Sequence, residues 1–281
     1  MTLDWTLSLF AGFFGLLIGS FLNVCSLRWP MDQSVVRPRS RCPNCDSLIA
    51  WYDNVPIVSW AVLRGRCRNC SDPVSVQYPL VELATGLMWA GATALHGPTW
   101  EAVRAGVFLT IIFGISISDA RFYIIPDEFS IGGTVIGLAM AFLPGGIDWL
   151  PALVGAVSGF AVLWLVGVLG TWLINKLSPG RLESAGVDHA MGGGDIKMMM
   201  MVGAFLGPWG VGLTVFLGSV LAIVLTVMRA TWSALASSPD EEAFNRLIPF
   251  GVFLAGGGAV AYVWGEAIIG WYVRSVLGMP V

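Results

Sequence analysis

The sequence predicts an all-α polytopic membrane protein of about eight transmembrane helices, with a small zinc-bound cytoplasmic domain between the first two. Three observations lead there. Hydrophobic residues fill 56% of the 281 positions and charged residues 12%, where a soluble domain carries about a quarter charged. The apolar residues gather in stretches near the ~20 that a helix needs to cross about 30 Å of hydrocarbon. Four of the five cysteines fall as two C-x2-C pairs in the one long polar segment.

Spans are expected over 6–27, 80–96, 101–119, 124–143, 150–174, 196–207, 209–228 and 250–272. The sixth, "IKMMMMVGAFLG", is short and is stopped by Gly207-Pro208, so it tilts or crosses only in part. The first has no basic leader, and "GSFLNVCSLRWP" offers no small-residue cleavage site, so it is expected to be retained. With the N-terminus outside, the inner segments hold Arg28, Arg37, Arg39, Arg41, Arg64, Arg66, Arg68, Arg121, Lys176, Arg181, Lys197, Arg229 and Arg246. That is thirteen of the fifteen basic residues, and only Arg104 and Arg274 fall outside. Such an excess belongs on the cytoplasmic side, where most of these side chains meet anionic headgroups. The net charge of -3 hides that polarity.

The division expected is a first helix (1–27), a cytoplasmic domain (28–79) and a membrane core (80–281). Residues 28–79 carry seven arginines and four aspartates besides Cys42, Cys45, Cys67 and Cys70. A two-residue gap lets one turn present two thiolates at about 2.3 Å to a tetrahedral ion, and a second turn closes the site with four sulfurs. A closed site leaves no position for water, so zinc here is structural, holding together a segment too small for much core of its own. Two disulfides are the alternative, disfavoured in a reducing cytoplasm. Cys25, inside the first span, reads as a small buried apolar residue. "NVPIVSWAVLRGRC" alternates apolar residues from Val55 and suggests a short strand or hairpin. Residues 175–195 and 229–249 read as inner loops.

An ionisable residue at membrane depth is costly, so each one is a functional candidate. Asp119 ends the third span, Asp127 opens the fourth and Asp195 opens the sixth behind Gly192, Gly193 and Gly194. All three fall at the same membrane face. Two aspartates brought together share one proton; the ionised member activates a water while the protonated one polarises a carbonyl. The glycines permit unusual dihedrals and close approach of a backbone. Lys197 either supports an anionic Asp195 or snorkels to the interface. Each aspartate also has an interfacial-cap reading, strongest for Asp127 in Pro126-Asp127-Glu128. Glu82, near the inner end of the second span, is a further costly carboxylate. No H-E-x-x-H, G-x-S-x-G or G-x-x-x-x-G-K-[ST] pattern occurs. Of the two histidines, His96 falls on the outer side and His189 reads as solvated. A transporter or assembly scaffold would use such carboxylates for proton relay or ion binding near the bilayer midplane.

Six motifs in order resemble the type IV prepilin peptidases over nearly the whole chain: "GSFLNVCSLRWP", "CPNC" and "CRNC" with "NVPIVSWAVLRGRC" between, "YPLVELATG", "DARFYIIPD", "MGGGDIKMMMMVGAFLG" and "IPFGVFLAGGG". The resemblance implies that Asp119 and Asp195 form the catalytic pair, the second in a G-x-G-D motif of Gly192, Gly194 and Asp195. Asp127, Gly192, Gly194 and Lys197 remain, from the residues themselves, the candidates for a supporting role. It implies removal of a basic leader from prepilins or pseudopilins at the cytoplasmic face of the bacterial inner membrane, before an apolar helix that stays in the lipid. The intact four-cysteine module implies a second activity, methylation of the new N-terminal amine with S-adenosylmethionine, for which Gly65 and Glu82 are the candidate binding residues. Membrane lipid is the other expected partner, and no nucleic acid is expected.

Overall fold

The computed structural model describes residues 5–184, 186–235, 249–276 and 278. The described residues are mostly helical: α1 (Trp5–Arg28), α2 (Val58–Val62), α3 (Gln77–His96), α4 (Trp100–Phe122), α5 (Asp127–Met140), α6 (Trp149–Leu177), α7 (Arg181–Ser184), α8 (Gly193–Leu235) and α9 (Phe250–Ser275). They divide into two compact units, one of residues 1–114 with 143–146, the other of 115–142 with 147–281.

The helices are inverted relative to those of a soluble protein. In α1, Gly15, Gly19, Asn23 and Ser26 are buried while Leu9 and Phe10 are 72% and 71% exposed. In α6 the buried positions are mostly small, whereas Leu153, Val157 and Trp164 face outward. Lipid is as apolar as leucine, so helices in a bilayer associate through close backbone approach and leave their large side chains to the hydrocarbon.

In the first unit α1 and α3 pack antiparallel: Gly12 lies against Ala90, Gly15 against Gly86, and Gly19 against Glu82 and Thr85. The Asn23 amide donates to the Tyr78 carbonyl at 3.1 Å and ties the two helix ends that flank the cysteine segment. In the second unit α6 crosses the start of α8 through Gly155 and Gly159, whose added Cβ atoms would overlap the Gly203 and Met199 carbonyl oxygens. Met198, Met199, Met201 and Val202 are fully buried there. Gly207, at φ 70° and ψ -176°, breaks α8 ahead of Pro208, and residues 208–235 pack on α9 through Gly218 and Gly257.

Five helical stretches are long and apolar enough to cross a membrane: Trp5–Met31, Trp100–Phe122, Trp149–Leu177, Gly193–Arg229 and Phe250–Ser275. The predicted sixth and seventh spans fall in one of them, on either side of Gly207. The predicted second span corresponds to α3, whose Gln77, Glu82 and His96 dilute its apolar run. The predicted fourth shrinks to the 14 residues of α5, about 21 Å at 1.5 Å per residue, because Pro126 delays its start.

Two further expectations change. No strand forms after Val55; two short helical turns, Trp51–Asn54 and α2, occupy that stretch, and apolar alternation over so few residues did not outweigh the turns around it. The loop expected from 229 is helical to Leu235, and the rest of it, with Arg246 and the first residue of "IPFGVFLAGGG", lies outside the described residues.

A pair of glycine substitutions tests the packing. Gly159→Ala forces α6 from α8 and is expected to destabilise by about 1–3 kcal/mol. Gly91→Ala, with nothing within 4 Å of the new atom, should be neutral or gain up to about 1 kcal/mol of helix propensity. Thermal melting in detergent reads both.

Candidate active site

Asp119 lies in the last turn of α4 and is only 6% exposed. Behind it the chain must turn sharply to start α5. Tyr123, at φ 57°, ends the helix and its amide donates to the Asp119 carbonyl at 2.9 Å. Pro126 is extended at φ -62° and ψ 143°, so that α5 begins at Asp127. The Asp119 carboxylate meets the first turn of α9: its Oδ2 accepts from the Val252 amide at 3.1 Å, and the Gly251 amide also points to it. Amides in a helix's first turn have no partner inside the helix, so the carboxylate satisfies donors that are otherwise orphaned and lies at the positive end of the α9 dipole.

Asp195 lies in the first turn of α8 and is half-buried. The segment before it rests on α6, where the Thr171 hydroxyl accepts from the Ala190 amide at 3.0 Å and Gly167 and Gly170 make room for Met191 and Ala190. Ile125, 9% exposed, connects the two sides: a Cβ on Gly194 would lie 2.9 Å from its Cβ, and one on Gly251 would lie 2.8 Å from its Cδ1 and 2.8 Å from Asp119 Oδ2. A Cβ on Gly192 would lie 3.0 Å from Asp195 Oδ2, whereas one on Gly193 would meet nothing within 4 Å. The constrained glycines are therefore the two fixed positions of G-x-G-D.

Asp127 and Lys197 meet each other. The Lys197 ammonium donates to Asp127 Oδ1 at 2.7 Å and Oδ2 at 3.0 Å, joining the first turns of α5 and α8 on the exposed rim beside Asp195. Asp127 is also the first residue of α5, as its cap reading anticipates. Gly251, the Val252 amide and Ile125 carried no assignment at the sequence level. "IPFGVFLAGGG" and "DARFYIIPD" contain them, but their meeting depends on packing between residues more than 120 positions apart.

The four module cysteines converge independently in the first unit. Their sulfurs all lie within 4.8 Å of one another, with Cys42 and Cys70 at 3.7 Å, and none is in a disulfide. Four thiolates at about 2.3 Å from one tetrahedral ion would be about 3.8 Å apart, so the donor set fits zinc. The two turns are built alike. The Cys42 and Cys67 amides donate to the Ser47 and Asp72 carbonyls, and their carbonyls accept from Asp46 and Ser71, both at positive φ. Hydrogen bonds to Ser47 hold the Cys45 thiol down at about 6, and the Cys70 and Asn69 amides lower Cys67. The Asp72 amide pulls Cys70 down too, but burial and hydrogen bonds with the other three sulfurs outweigh it and leave it at about 12. Across the module Arg68 grips Asp53 at 2.6 Å and holds its carboxyl below the usual range.

Glu82 and Gly65 have local partners. Glu82, 8% exposed, accepts from the Ile57 amide at 2.7 Å and bonds Ser20 of α1. Gly65, at φ 66°, turns the chain against the Trp60 ring, 2.8 Å from where a Cβ would stand.

The chain is similar to known proteins throughout. Residues 13–96 match the bacterial peptidase A24 N-terminal domain and residues 106–227 the type IV leader peptidase family. A prepilin leader peptidase/N-methyltransferase of Stutzerimonas stutzeri is 36% identical over 92% of this chain and 91% of its own length. One of Bacillus subtilis (strain 168) is 30% identical over 94% and 97%. One of Myxococcus xanthus (strain DK1622) is 42% identical over 68% of this chain, which spans 54% of that relative. No solved structure matches. With both family models matched in order and relatives of at least 30% identity aligned almost end to end, the chain belongs to the type IV leader peptidase family.

Proposed function

We propose that this chain is a membrane aspartic endopeptidase that removes the leader of type IV prepilins or pseudopilins at the cytoplasmic face of the inner membrane, with Asp119 and Asp195 as its catalytic pair. The observation that carries the reading is the approach of two carboxylate-bearing helix ends to the same residue, Ile125, with glycines that clear the space around them. Relatives named for both activities support it. A water held between the carboxylates gives its proton to the ionised one and attacks the scissile carbonyl, polarised by the protonated one. The C–N bond then breaks as the amine takes a proton, leaving a leader carboxylate and a new N-terminus. Asp119, with two amides at its oxygens, is the fixed member. Asp127 and Lys197 brace the helix starts on either side.

In the same reading the eight-crossing topology places both helix ends inside, and residues 28–79 form a cytoplasmic zinc domain beside a core of residues 80–281. The basic inner segments lie against anionic lipid. Zinc on Cys42, Cys45, Cys67 and Cys70 is structural. S-adenosylmethionine, when bound, supplies a methyl group to the new amine. The aspartates sit in the terminal turns of α4 and α8, away from the midplane where proton relay or ion transport would need them.

In proteoliposomes with a matched prepilin, Asp119→Asn and Asp195→Asn are each expected to reduce leader removal by about 10³-fold or more, about 4 kcal/mol of barrier. Wild-type cleavage by either variant removes that residue from catalysis. Gly194→Ala should slow cleavage at least tenfold by pressing on Ile125, while Gly193→Ala stays within about threefold of wild type; equal effects contradict the close-packing account. Cys42→Ser or Cys67→Ser should remove the zinc found by elemental analysis and lower the melting temperature, and one zinc per chain retained in either variant refutes the site.

A further inference from the structure

Hydrolysis by the two aspartates leaves a pair of charged side chains on the rim of the site without a chemical task. The Lys197 ammonium donates to both oxygens of Asp127, at 2.7 and 3.0 Å, and the two side chains are 39% and 56% exposed. An ion pair in that much water is screened and contributes little to stability, so its partners exchange readily. Asp127 has support of its own. It is the first residue of α5, where the positive end of the helix dipole favours a negative side chain whether or not Lys197 is beside it. Lys197, on a flexible stem, returns to solvent at small cost.

The chain relates this carboxylate to the bond that is cut. Asp127 follows Ile125 by two residues. The Ile125 side chain fills the space beside Gly194, which precedes Asp195, and beside Gly251, which precedes the amide that holds Asp119. Two residues of chain span at most about 7 Å, so Asp127 lies within a few residues' reach of a peptide bond held at the aspartates. The rim between is open to such a peptide. Tyr123 and Ile124 are each 46% exposed, and Gly193 has nothing within 4 Å of where a Cβ would stand. Exposed apolar side chains suit the methylene stem of a lysine or arginine whose charged head reaches a carboxylate. Glu128, also exposed and next in α5, adds a second negative charge. The group that Asp127 already grips, an ammonium held through both oxygens, is the chemistry it selects.

We propose that Asp127 is a specificity-determining residue of the peptidase site: it receives a lysine or arginine of the leader within about three residues of the cleaved bond, and Lys197 fills that place in the free chain. The inference rests on the peptidase reading above and deepens it, assigning the choice of a cationic leader to a carboxylate that moves no proton in the reaction. A brace alone would serve every substrate equally, whereas a subsite couples to one side chain of the leader.

Kinetics of the full chain in proteoliposomes separate the two roles. The substrates are a matched prepilin with a lysine or arginine within about three residues of the cleaved bond, and the same prepilin with that residue replaced by glutamine. Wild type is expected to lose about tenfold or more in kcat/KM on the neutral leader, chiefly through KM. Asp127→Asn should lose as much on the basic leader and then cleave the two leaders alike, within about twofold. Because the ratio between leaders is taken within one preparation, it does not depend on the fraction of the variant that is folded. Asp127→Asn that keeps the full preference for the basic leader, whatever its absolute rate, reduces Asp127 to a brace and overturns the inference. So does a wild type that cleaves both leaders equally well, and either result leaves the peptidase reading standing. A wild type that cleaves neither prepilin overturns that reading and this inference with it.

Discussion

The arrangement around the aspartates depends on one hydrogen bond, from the Val252 amide in the first turn of α9 to the Asp119 carboxylate at the end of α4. Each partner solves the other's problem. The helix start has amides without acceptors, and the carboxylate is buried among apolar side chains. Gly251 is the condition for their approach, because any side chain there would strike the carboxylate and Ile125 together. Once α9 is docked on Asp119, Ile125 is fixed between Gly251 and Gly194, and the start of α8 has a defined seat. Asp195 is placed by the same contacts. A carboxylate held this way is fixed by the backbone of a second helix.

The cysteine module reaches rigidity by a different route. It buries little apolar surface: Trp51, Val58 and Val62 are all exposed. Its order comes from two turns of matching hydrogen bonds around four sulfurs, from the Arg68–Asp53 pair and from Glu82 reaching up out of α3. A metal adds most where the hydrophobic contribution is smallest. The Glu82 contact matters for a second reason, since it couples α3 to the backbone of the polar segment. Arg68 also lies over the Tyr52 ring, which joins the second cysteine turn to the Trp51–Asn54 helical turn.

What the sequence made legible follows from how far apart the cooperating residues lie. The sulfur cluster was readable because C-x2-C spacing is itself the local geometry of a ligand turn. The two aspartates were readable as candidates because a charge in an apolar string is anomalous in any fold. The importance of the positions flanking Gly193 was readable only as a pattern; the reason, Ile125 on one side and Asp195 on the other, is tertiary. Gly251 and Ile125 left no local signal, being a glycine and an isoleucine in helical apolar surroundings. The count of crossings was the weakest inference, since the polarity of α3 and the length of α5 fall short of a self-sufficient span, and Gly207 breaks another helix within one apolar run. The alternation after Val55 misled because a buried carboxylate, distant in sequence, fixes a turn where the local pattern favours extension.

The central claim is that Asp119 and Asp195 act as one catalytic unit, not as two independent contributors. Single-turnover cleavage of a matched prepilin by excess enzyme, compared among Asp119→Asn, Asp195→Asn and the double variant, tests it most directly. The account predicts that the double variant is no slower than the more damaged single variant. A double variant slower by the product of the two single effects would contradict it and separate the carboxylates into unrelated roles.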